Sequence, residues 1–239
     1  MANNWQNIWG GKGQRVIDNP QPTLEDLIRE DGFDSGAGDH TVASWRQFTS
    51  DTYSQLGVVK DSRLLEVGCG CGAFLFDAYQ NGVIITGIDL SEQLLAAAKS
   101  ALPDAEFTTA EAADIPFEAN QFDVVISHSV FQYFESEDYA RRVILEMARV
   151  VHSENGRIAI LDVNDEEKRE DFHRIRAGSI GAEAYQEKYQ DYPHRFYSKT
   201  WLIDNLEAAG FDVHIEDQAI EGYLNSAFRF NVFAKRRGK

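Results

Sequence analysis

Arg63-Leu-Leu-Glu-Val-Gly-Cys-Gly-Cys-Gly-Ala-Phe-Leu75 is the stretch from which the fold can be inferred. Its apolar first part predicts a buried strand, and the alternating glycines predict a tight turn. A new apolar pattern predicts a helix over residues 72–80. Glycines let the backbone turn sharply and let a ligand approach main-chain N–H groups that a Cβ would shield. The stretch therefore predicts a strand, a ligand-binding turn and a helix.

An acidic residue precedes the glycines, so that Glu66 is followed by Gly68, Gly70 and Gly72. This arrangement resembles the first motif of the class I S-adenosylmethionine (AdoMet) methyltransferases. The same glycines also satisfy the dinucleotide fingerprint G-x-G-x-x-G/A, and Asp89 lies about 20 residues further on, where a ribose-binding acid belongs. The turn by itself leaves AdoMet and NAD open as cofactors.

Strand-like and helix-like segments alternate along the chain, which is typical of a parallel sheet covered by helices on both faces. Strands are predicted at residues 64–67, 83–88, 106–109, 122–127, 157–163, 211–220 and 228–235. The last two are close in sequence, as in the methyltransferases. We expect an α/β, Rossmann-like, doubly wound and mostly parallel seven-stranded sheet with an antiparallel last strand. It should carry an N-terminal helical cap and an insertion after strand five.

The 239 residues are expected to form a single methyltransferase domain. Its predicted parts are a helical cap (1–58), an AdoMet-binding core (59–163), a lid insertion (164–197) and a C-terminal helix and hairpin (198–239).

The net charge of -16 argues against a nucleic-acid substrate, because phosphate binding needs clustered Lys and Arg. Cys69 and Cys71 lie too close in the turn to pair readily, and two thiols are too few for a zinc site. No apolar signal core and no run of about 18 apolar residues is present. We expect a cytoplasmic protein, monomeric or homodimeric, that binds neither nucleic acid nor membrane.

Four further segments resemble the methyltransferase family and favour AdoMet over NAD. Residues 86–91 resemble the second strand and its tip, and residues 122–134 resemble the fourth motif. Residues 206–211 resemble the helix end before strand six. Residues 111–117, Glu-Ala-Ala-Asp-Ile-Pro-Phe, resemble the loop after strand three, with Glu for the usual Asp and Ile for Leu. This loop discriminates best, because dehydrogenases lack it.

The resemblance implies a role for each matching position. Asp89 would accept hydrogen bonds from the ribose hydroxyls, and Glu111 or the Ala112 main chain would read the adenine edge. Glu66 would hold the turn or the methionine amino group, and Arg46, in a helix before the core, would hold the methionine carboxylate. The predicted cofactor-binding residues are Arg46, Glu66, Gly68, Cys69, Gly70, Gly72, Asp89, Leu90, Glu111, Ala112 and Ser127.

Three residues are candidates for the methyl acceptor's side of the site. His128 leaves strand four beside the cofactor, and an imidazole suits a general base near neutral pH. His194 lies in a "H-x-F/Y-S" stretch that many small-molecule methyltransferases carry before the last long helix. Tyr133 is placed to line the pocket. No metal is expected, since no cluster has convincing ligand spacing.

Aromatic residues are dense in the two segments predicted to roof the acceptor pocket: Trp5, Trp9, Phe172, Tyr185, Tyr189, Tyr192, Phe196 and Tyr197. Such a lid suits an apolar or aromatic small molecule. We therefore expect an O- or N-methyltransferase, of the kind found in natural product biosynthesis. An NAD(P)-dependent oxidoreductase and a noncatalytic AdoMet- or partner-binding protein stay open as alternatives.

Overall fold

The structure is a computed structural model that describes Trp9 and residues 11–33, 40–180 and 194–238. Its helices are α1 (Gln14–Asp18), α2 (Leu24–Glu30), α3 (Val42–Leu56), α4 (Phe76–Gln80), α5 (Glu92–Ala101), α6 (Glu137–Val150), α7 (Arg169–Ile180) and α8 (Lys199–Ala208). Its strands are β1 (Arg63–Val67), β2 (Ile84–Asp89), β3 (Glu106–Thr109), β4 (Val124–His128), β5 (Arg157–Asn164), β6 (Phe211–Asp217) and β7 (Arg229–Arg236).

The strands form a seven-stranded sheet in the order β3-β2-β1-β4-β5-β7-β6. The pairs among β1 to β5 are parallel, whereas β7 runs antiparallel to both β5 and β6. This confirms the predicted doubly wound sheet with its antiparallel last strand. The order reverses between β1 and β4, and open α/β sheets bind ligands at the carboxyl ends of the strands beside such a switch point.

Two apolar layers cover the sheet, one on each face. One layer joins the sheet to α2, α3, α4 and α5, with Trp45 and Phe48 of α3 buried in it. The other contains Val143 and Met147 of α6 together with Leu202 of α8. The Thr41 hydroxyl caps α3 by accepting the Ser44 N–H. The cap fixes where α3 begins, and α3 supplies two aromatic rings, Trp45 and Phe48, that contact His128 of the site described below.

The helix after the glycine turn begins at Phe76, later than the predicted residue 72. Gly72 has a φ of 85°, which is left-handed backbone and is incompatible with a right-handed helix. Strand β4 similarly begins at Val124, because Phe122 makes only an isolated bridge to Val151. Part of the predicted insertion folds as α7. Trp5, Tyr185, Tyr189 and Tyr192 lie outside the described residues.

Over the described part of the chain, no helix combines the length and the apolar character needed to cross a membrane. The same residues contain no group of three or more His, Cys, Asp or Glu side chains arranged to hold a metal ion.

Candidate functional site

The turn between β1 and α4 is built on left-handed backbone, with a φ of 79° at Gly68 and 52° at Gly70. The Gly68 N–H donates to the Ile88 carbonyl at 2.8 Å, which ties the turn to the end of β2. A Cβ at Gly68 would lie 2.5 Å from Val130 Cγ2, and a Cβ at Gly70 would overlap the Asp31 carboxylate. These glycines therefore make room for side chains of this chain, in addition to letting the backbone turn.

Asp89 lies at the carboxyl end of β2 and bridges the turn to α5. Its Oδ2 accepts the Gly70 N–H at 3.0 Å, and its Oδ1 accepts the Ser91 N–H at 2.8 Å. Burial raises the pKa of this carboxyl above its ordinary value, although the two N–H groups oppose the effect. Each oxygen keeps a lone pair that a hydroxyl could use. The next residue, Leu90, is exposed at the rim.

Glu66 and Asp31 bring two more carboxyl groups to the same turn. Glu66 is 2% exposed, and its Oε2 has no hydrogen-bond partner among the described residues. Burial, and then the charges of Asp31 and Asp89, raise the pKa of Glu66 well above its ordinary value. Asp31, at the end of α2, accepts the Cys71 N–H at 2.9 Å. Asp31 was not among the cofactor-binding residues predicted from the sequence.

The loop after β3 lies beside this turn, because the Ala110 N–H donates to the Asp89 carbonyl at 3.1 Å. Arg149 of α6 holds the far end of the loop by donating to the Phe117 carbonyl at 2.8 Å. Glu111 is exposed, and its Oε2 accepts the Tyr139 hydroxyl at 3.4 Å. Ala112 is half-buried next to it.

Three other predicted cofactor-binding residues have partners within the protein. Ser127 is fully buried, and its Oγ donates to the Val67 carbonyl at 3.0 Å. Burial raises the pKa of the Cys69 thiol, which is therefore neutral near pH 7. Arg46 is exposed, and its Nε pairs with Asp77 Oδ2 at 3.1 Å. In the structure Arg46 thus has an acidic partner on α4, and its predicted contact with a carboxylate ligand gains no support.

His128 ends β4 inside a group of aromatic rings. Its ring centroid lies 4.9 Å from Phe74, 5.1 Å from Phe33, 5.5 Å from Trp45 and 5.6 Å from Phe48. Burial lowers the pKa of His128 to about 4, with Arg229 and His40 contributing and Asp162 opposing. The imidazole is therefore neutral at pH 7 and is a weaker proton acceptor than an ordinary histidine.

His194 and Tyr133 contact each other near the end of β4. Their rings meet edge to face with centroids 5.6 Å apart, and Tyr133 also contacts Trp9 at 5.8 Å. Burial, followed by the charges of Arg229 and Arg176, lowers the pKa of His194 to about 3. The structure thus joins two of the three predicted acceptor-side residues directly.

A buried carboxylate, Asp162, organises the polar residues of this region. It is fully buried in β5, and its oxygens accept hydrogen bonds from Ser129 Oγ at 2.8 Å, Gln218 Nε2 at 3.0 Å and the Tyr223 hydroxyl at 3.2 Å. The Arg229 guanidinium lies close, with Nε 3.8 Å from Oδ1. Each of these side chains carries a hydrogen-bond donor, which suits a carboxylate acceptor.

Asp162 and Ser129 both have left-handed backbone, with φ of 59° and 57°. Asp162 also lies at a register shift between β5 and β7. Left-handed backbone in a residue with a side chain costs on the order of 1–3 kcal/mol, and such strain clusters at functional sites. The two strained residues hydrogen-bond to each other where two adjacent parallel strands end.

His40 and Tyr223 complete the group. Their rings lie 4.5 Å apart with an interplanar angle of 31°. His40 is 7% exposed, and its Nδ1 has no hydrogen-bond partner among the described residues. Burial lowers the pKa of His40 to about 4. We define the polar chamber as His40, His128, Ser129, Asp162, Tyr223 and Arg229.

A family model described as a methyltransferase domain matches residues 65–160, which include the glycine turn, Asp89 and β4. The chain is 27% identical over 191 residues to the ubiquinone/menaquinone biosynthesis C-methyltransferase UbiE of Campylobacter jejuni (strain 81-176), covering 71% of this chain and 79% of that protein. Residues 65–160 thus carry a methyltransferase domain, and the protein is an AdoMet-dependent methyltransferase.

Two solved structures share the fold of this methyltransferase. One is the magnesium protoporphyrin IX methyltransferase ChlM from Synechocystis PCC 6803 with bound AdoMet, at 14% identity and a TM-score of 0.62 over 98% of this chain and 95% of that chain. The other is the [4+2]-cyclase SpnF, at 18% identity and a TM-score of 0.60 over 92% and 99%. These likenesses support the fold and say nothing of this chain's acceptor.

AdoMet is the cofactor of this methyltransferase, which decides between the two nucleotides that the glycine pattern left open. The residues present fit it. The carboxylate of Asp89 has lone pairs for ribose hydroxyls, and the buried, unpartnered Glu66 oxygen is suited to a cationic amino group. When bound, AdoMet supplies a methyl group already activated on a sulfonium.

Sequence reasoning missed most of the polar chamber of this methyltransferase. It singled out His128 but neither Asp162 nor His40. A signal was present for Asp162, since a carboxylate interrupts the apolar run of residues 158–163. No local pattern marked Tyr223 or Arg229. Tyr223 lies in the connection before β7, and Arg229 is the first residue of β7.

Proposed function

We propose that this methyltransferase moves the methyl group of AdoMet to an oxygen or nitrogen of a small, apolar or aromatic metabolite. The polar chamber is the observation that carries the proposal. It lies at the carboxyl ends of β4 and β5, next to the strand that leads into the glycine turn, and aromatic rings of the N-terminal segment and α3 cover it. Apolar walls with a few convergent polar groups are typical of small-molecule sites.

The protein is proposed to lower the barrier to methyl transfer mainly by aligning donor and acceptor and by excluding water. Positioning of this kind can supply about 7–11 kcal/mol of a barrier. Phe33, Trp45, Phe48 and Phe74 would pack against the acceptor's apolar part. His40 Nδ1, which has no partner in the described residues, would accept a hydrogen bond from the acceptor's hydroxyl or amine. That contact would orient the reacting atom.

The general base is proposed to be His128 or His194, with Tyr133 lining the pocket. Both imidazoles are neutral at pH 7, because burial lowers their pKa values to about 4 and about 3. A neutral imidazole can take a proton, and a positioned base contributes about 100- to 10,000-fold. With these pKa values the rate should be level across neutral pH and fall only near pH 4, as the imidazole protonates.

Residues 1–58 are proposed as the cap and residues 164–197 as the lid of the acceptor pocket. The net charge of -16 favours a small-molecule acceptor over a nucleic acid. Carbon is the second candidate for the acceptor atom, because the UbiE relative is named a C-methyltransferase.

The test is methyl transfer from isotopically labelled AdoMet to a library of phenols, hydroxy compounds and amines, followed by NMR of each product to locate the new methyl group. A product methylated on oxygen or nitrogen supports the proposal. A methyl on carbon establishes the second candidate instead, and no product from any class, with AdoMet bound, contradicts catalysis of small-molecule methylation.

The base is tested by His128→Gln and His194→Gln on the product-forming substrate, with His152→Gln as the matched control. His152 is half-buried, and its Nε2 lies 3.7 Å from Asp123 Oδ1, away from the chamber. Replacing a general base should lower turnover about 100-fold or more. Near-normal turnover in both His128→Gln and His194→Gln would contradict the general base.

A further inference from the structure

The N-terminal segment crosses the cofactor end of the sheet. We call Trp9 and residues 11–33 the strap. Its Trp9 carbonyl accepts the Ser91 hydroxyl at 3.4 Å, and its Leu27 carbonyl accepts the Cys71 thiol at 3.3 Å. The strap is therefore fastened to the two loops, after β1 and after β2, that carry the AdoMet motifs.

Asp31 makes the shortest hydrogen bond between the strap and the glycine turn. Its Oδ1 accepts the Cys71 N–H at 2.9 Å, and its Oδ2 lies 3.4 Å from the Ala73 N–H. The carboxylate occupies the space where Gly70 lacks a Cβ. A side chain from 40 residues before Cys71 is thus packed against the middle glycine of the turn.

Three carboxyl groups consequently surround one turn. Asp89 raises the pKa of both Asp31 and Glu66, Asp31 raises that of Glu66, and none of the ion pairs of the described residues includes any of the three. Asp31 and Asp89 have backbone N–H donors. Glu66 is 2% exposed, and one of its oxygens has no partner among the described residues, which destabilises the fold unless a ligand satisfies that oxygen. An acceptor oxygen without a partner indicates a ligand that donates a hydrogen bond, and the surrounding carboxyl groups favour a ligand with positive charge.

We propose that Asp31 of the strap joins Glu66 of β1 in receiving the amino group of AdoMet, so that the cofactor's positive charge fastens the strap onto the glycine turn. The inference rests on AdoMet as the cofactor and deepens that site; it does not depend on which acceptor is methylated. Asp31 is a positioning residue for the strap and a ligand for the cofactor.

The charges that face Asp31 define the expected pH dependence. They are Glu66 of β1, Asp89 of β2 and Glu30 beside it, while the Cys69 and Cys71 thiols have raised pKa values and are neutral. Burial raises the pKa of Asp31 to about 6, with Asp89 adding to the effect and the turn N–H groups opposing it. A bound cation favours the ionised form. Affinity should therefore rise with pH up to about 6, and binding below that pH should release a proton.

The experiment is calorimetric titration of Asp31→Asn with S-adenosylhomocysteine and with methylthioadenosine, which lacks the amino-acid part. Because the variant loses a hydrogen bond to a charged group, its affinity for S-adenosylhomocysteine should fall at least about tenfold. Methylthioadenosine should bind as it does to the wild type, and the pH dependence below about 6 should flatten.

Glu30→Gln is the matched control. Glu30 is the neighbouring acid of the strap and accepts the Gly13 N–H at 2.7 Å, within the strap itself. It should leave the ratio of the two affinities unchanged. Glu66→Gln is the second variant, which keeps the proposal testable even if Asp31→Asn does not fold. It should lower the affinity for S-adenosylhomocysteine more than the affinity for methylthioadenosine.

Equal weakening of both ligands in the Asp31 and Glu66 variants would mean that the carboxylates only hold the fold together, and would overturn the proposal. Unchanged or tighter binding of S-adenosylhomocysteine to Asp31→Asn would also overturn it. No acceptor is present in these titrations, so their failure and a failure to find a methylated product are separate results.

Discussion

The cofactor turn and the polar chamber both use left-handed backbone at the ends of parallel strands, but they use different residues. The turn has glycine at 68, 70 and 72, whereas the chamber has Ser129 and Asp162, with φ of 57° and 59°. Glycine adopts this conformation at little steric cost, and other residues pay for it in strain. The turn needs open space beside its backbone. The chamber needs the side chains, because the Ser129 hydroxyl donates to Asp162 at 2.8 Å.

The two regions also differ in how far apart their residues lie in the sequence. The turn and Asp89 fall within residues 66–91, and Asp31 is the distant member. The chamber collects residues from positions 40, 128–129, 162, 223 and 229, which the sheet order brings together at the ends of β4, β5 and β7. A substitution in each region should therefore damage different properties, and three substitutions test this.

The largest loss of stability is expected for Asp162→Asn. The change removes the charge facing the buried Arg229, which is 3% exposed, and exchanges an acceptor for a group that also donates. Breaking a buried ion pair costs about 3–5 kcal/mol in the free energy of unfolding. Denaturant unfolding measures this loss, and affinity for S-adenosylhomocysteine should change little, since the chamber lies on the acceptor side.

Asp212→Asn provides the matched control on the same sheet. Asp212 is exposed on β6 and accepts from Arg237 Nε at 2.9 Å, so its loss should change stability by less than about 1 kcal/mol. If Asp162→Asn cost no more than Asp212→Asn, the carboxylate would not be what holds the chamber together.

A smaller loss of stability, joined to a loss of cofactor binding, is expected for Gly70→Ala. Left-handed backbone costs about 1–2 kcal/mol in alanine, and the new Cβ would also overlap the Asp31 carboxylate. Unfolding and titration with S-adenosylhomocysteine measure the two effects.

The control for Gly70→Ala is Gly178→Ala in α7, where a Cβ would meet nothing within 4 Å. Alanine is a better helix former there by about 1 kcal/mol, so stability should hold or rise. Unimpaired cofactor binding in Gly70→Ala would show that the turn tolerates a Cβ and that Asp31 can move aside.

The sequence predicted the sheet, the glycine turn and the position of Asp89, because each depends on local backbone requirements. Alternating apolar segments locate the strands along the chain, and a glycine pattern after an apolar strand has few structural solutions. The onset of α4 was missed by a few residues, since no local signal shows that Gly72 is left-handed and not helical.

The chamber and the strap could not be predicted in the same way. Tyr223, Arg229 and Asp31 have ordinary local surroundings, and their roles depend on contacts with residues 40 or more positions away. Asp162 was the exception, because a carboxylate inside a buried strand needs partners. His128 was placed correctly at the end of β4, but its surroundings of four aromatic rings, and hence its low pKa, come from α3 and the segments next to it.

The smallest effect is expected for Arg46→Ala. This substitution tests whether Arg46 holds the methionine carboxylate, as predicted from the sequence, or only pairs with Asp77, as in the structure. Arg46 is exposed and paired with Asp77 at 3.1 Å, and exposed pairs of this kind contribute about 0–1 kcal/mol. Both stability and affinity for S-adenosylhomocysteine should therefore stay close to wild type, and Asp77→Asn should behave in the same way. If Arg46→Ala instead weakened S-adenosylhomocysteine about tenfold or more while Asp77→Asn did not, the guanidinium would have to leave Asp77 and hold the methionine carboxylate. The cofactor side would then include a residue from α3 as well as Asp31 from the strap, and the contrast between a local turn and a dispersed chamber would be weaker than the structure indicates.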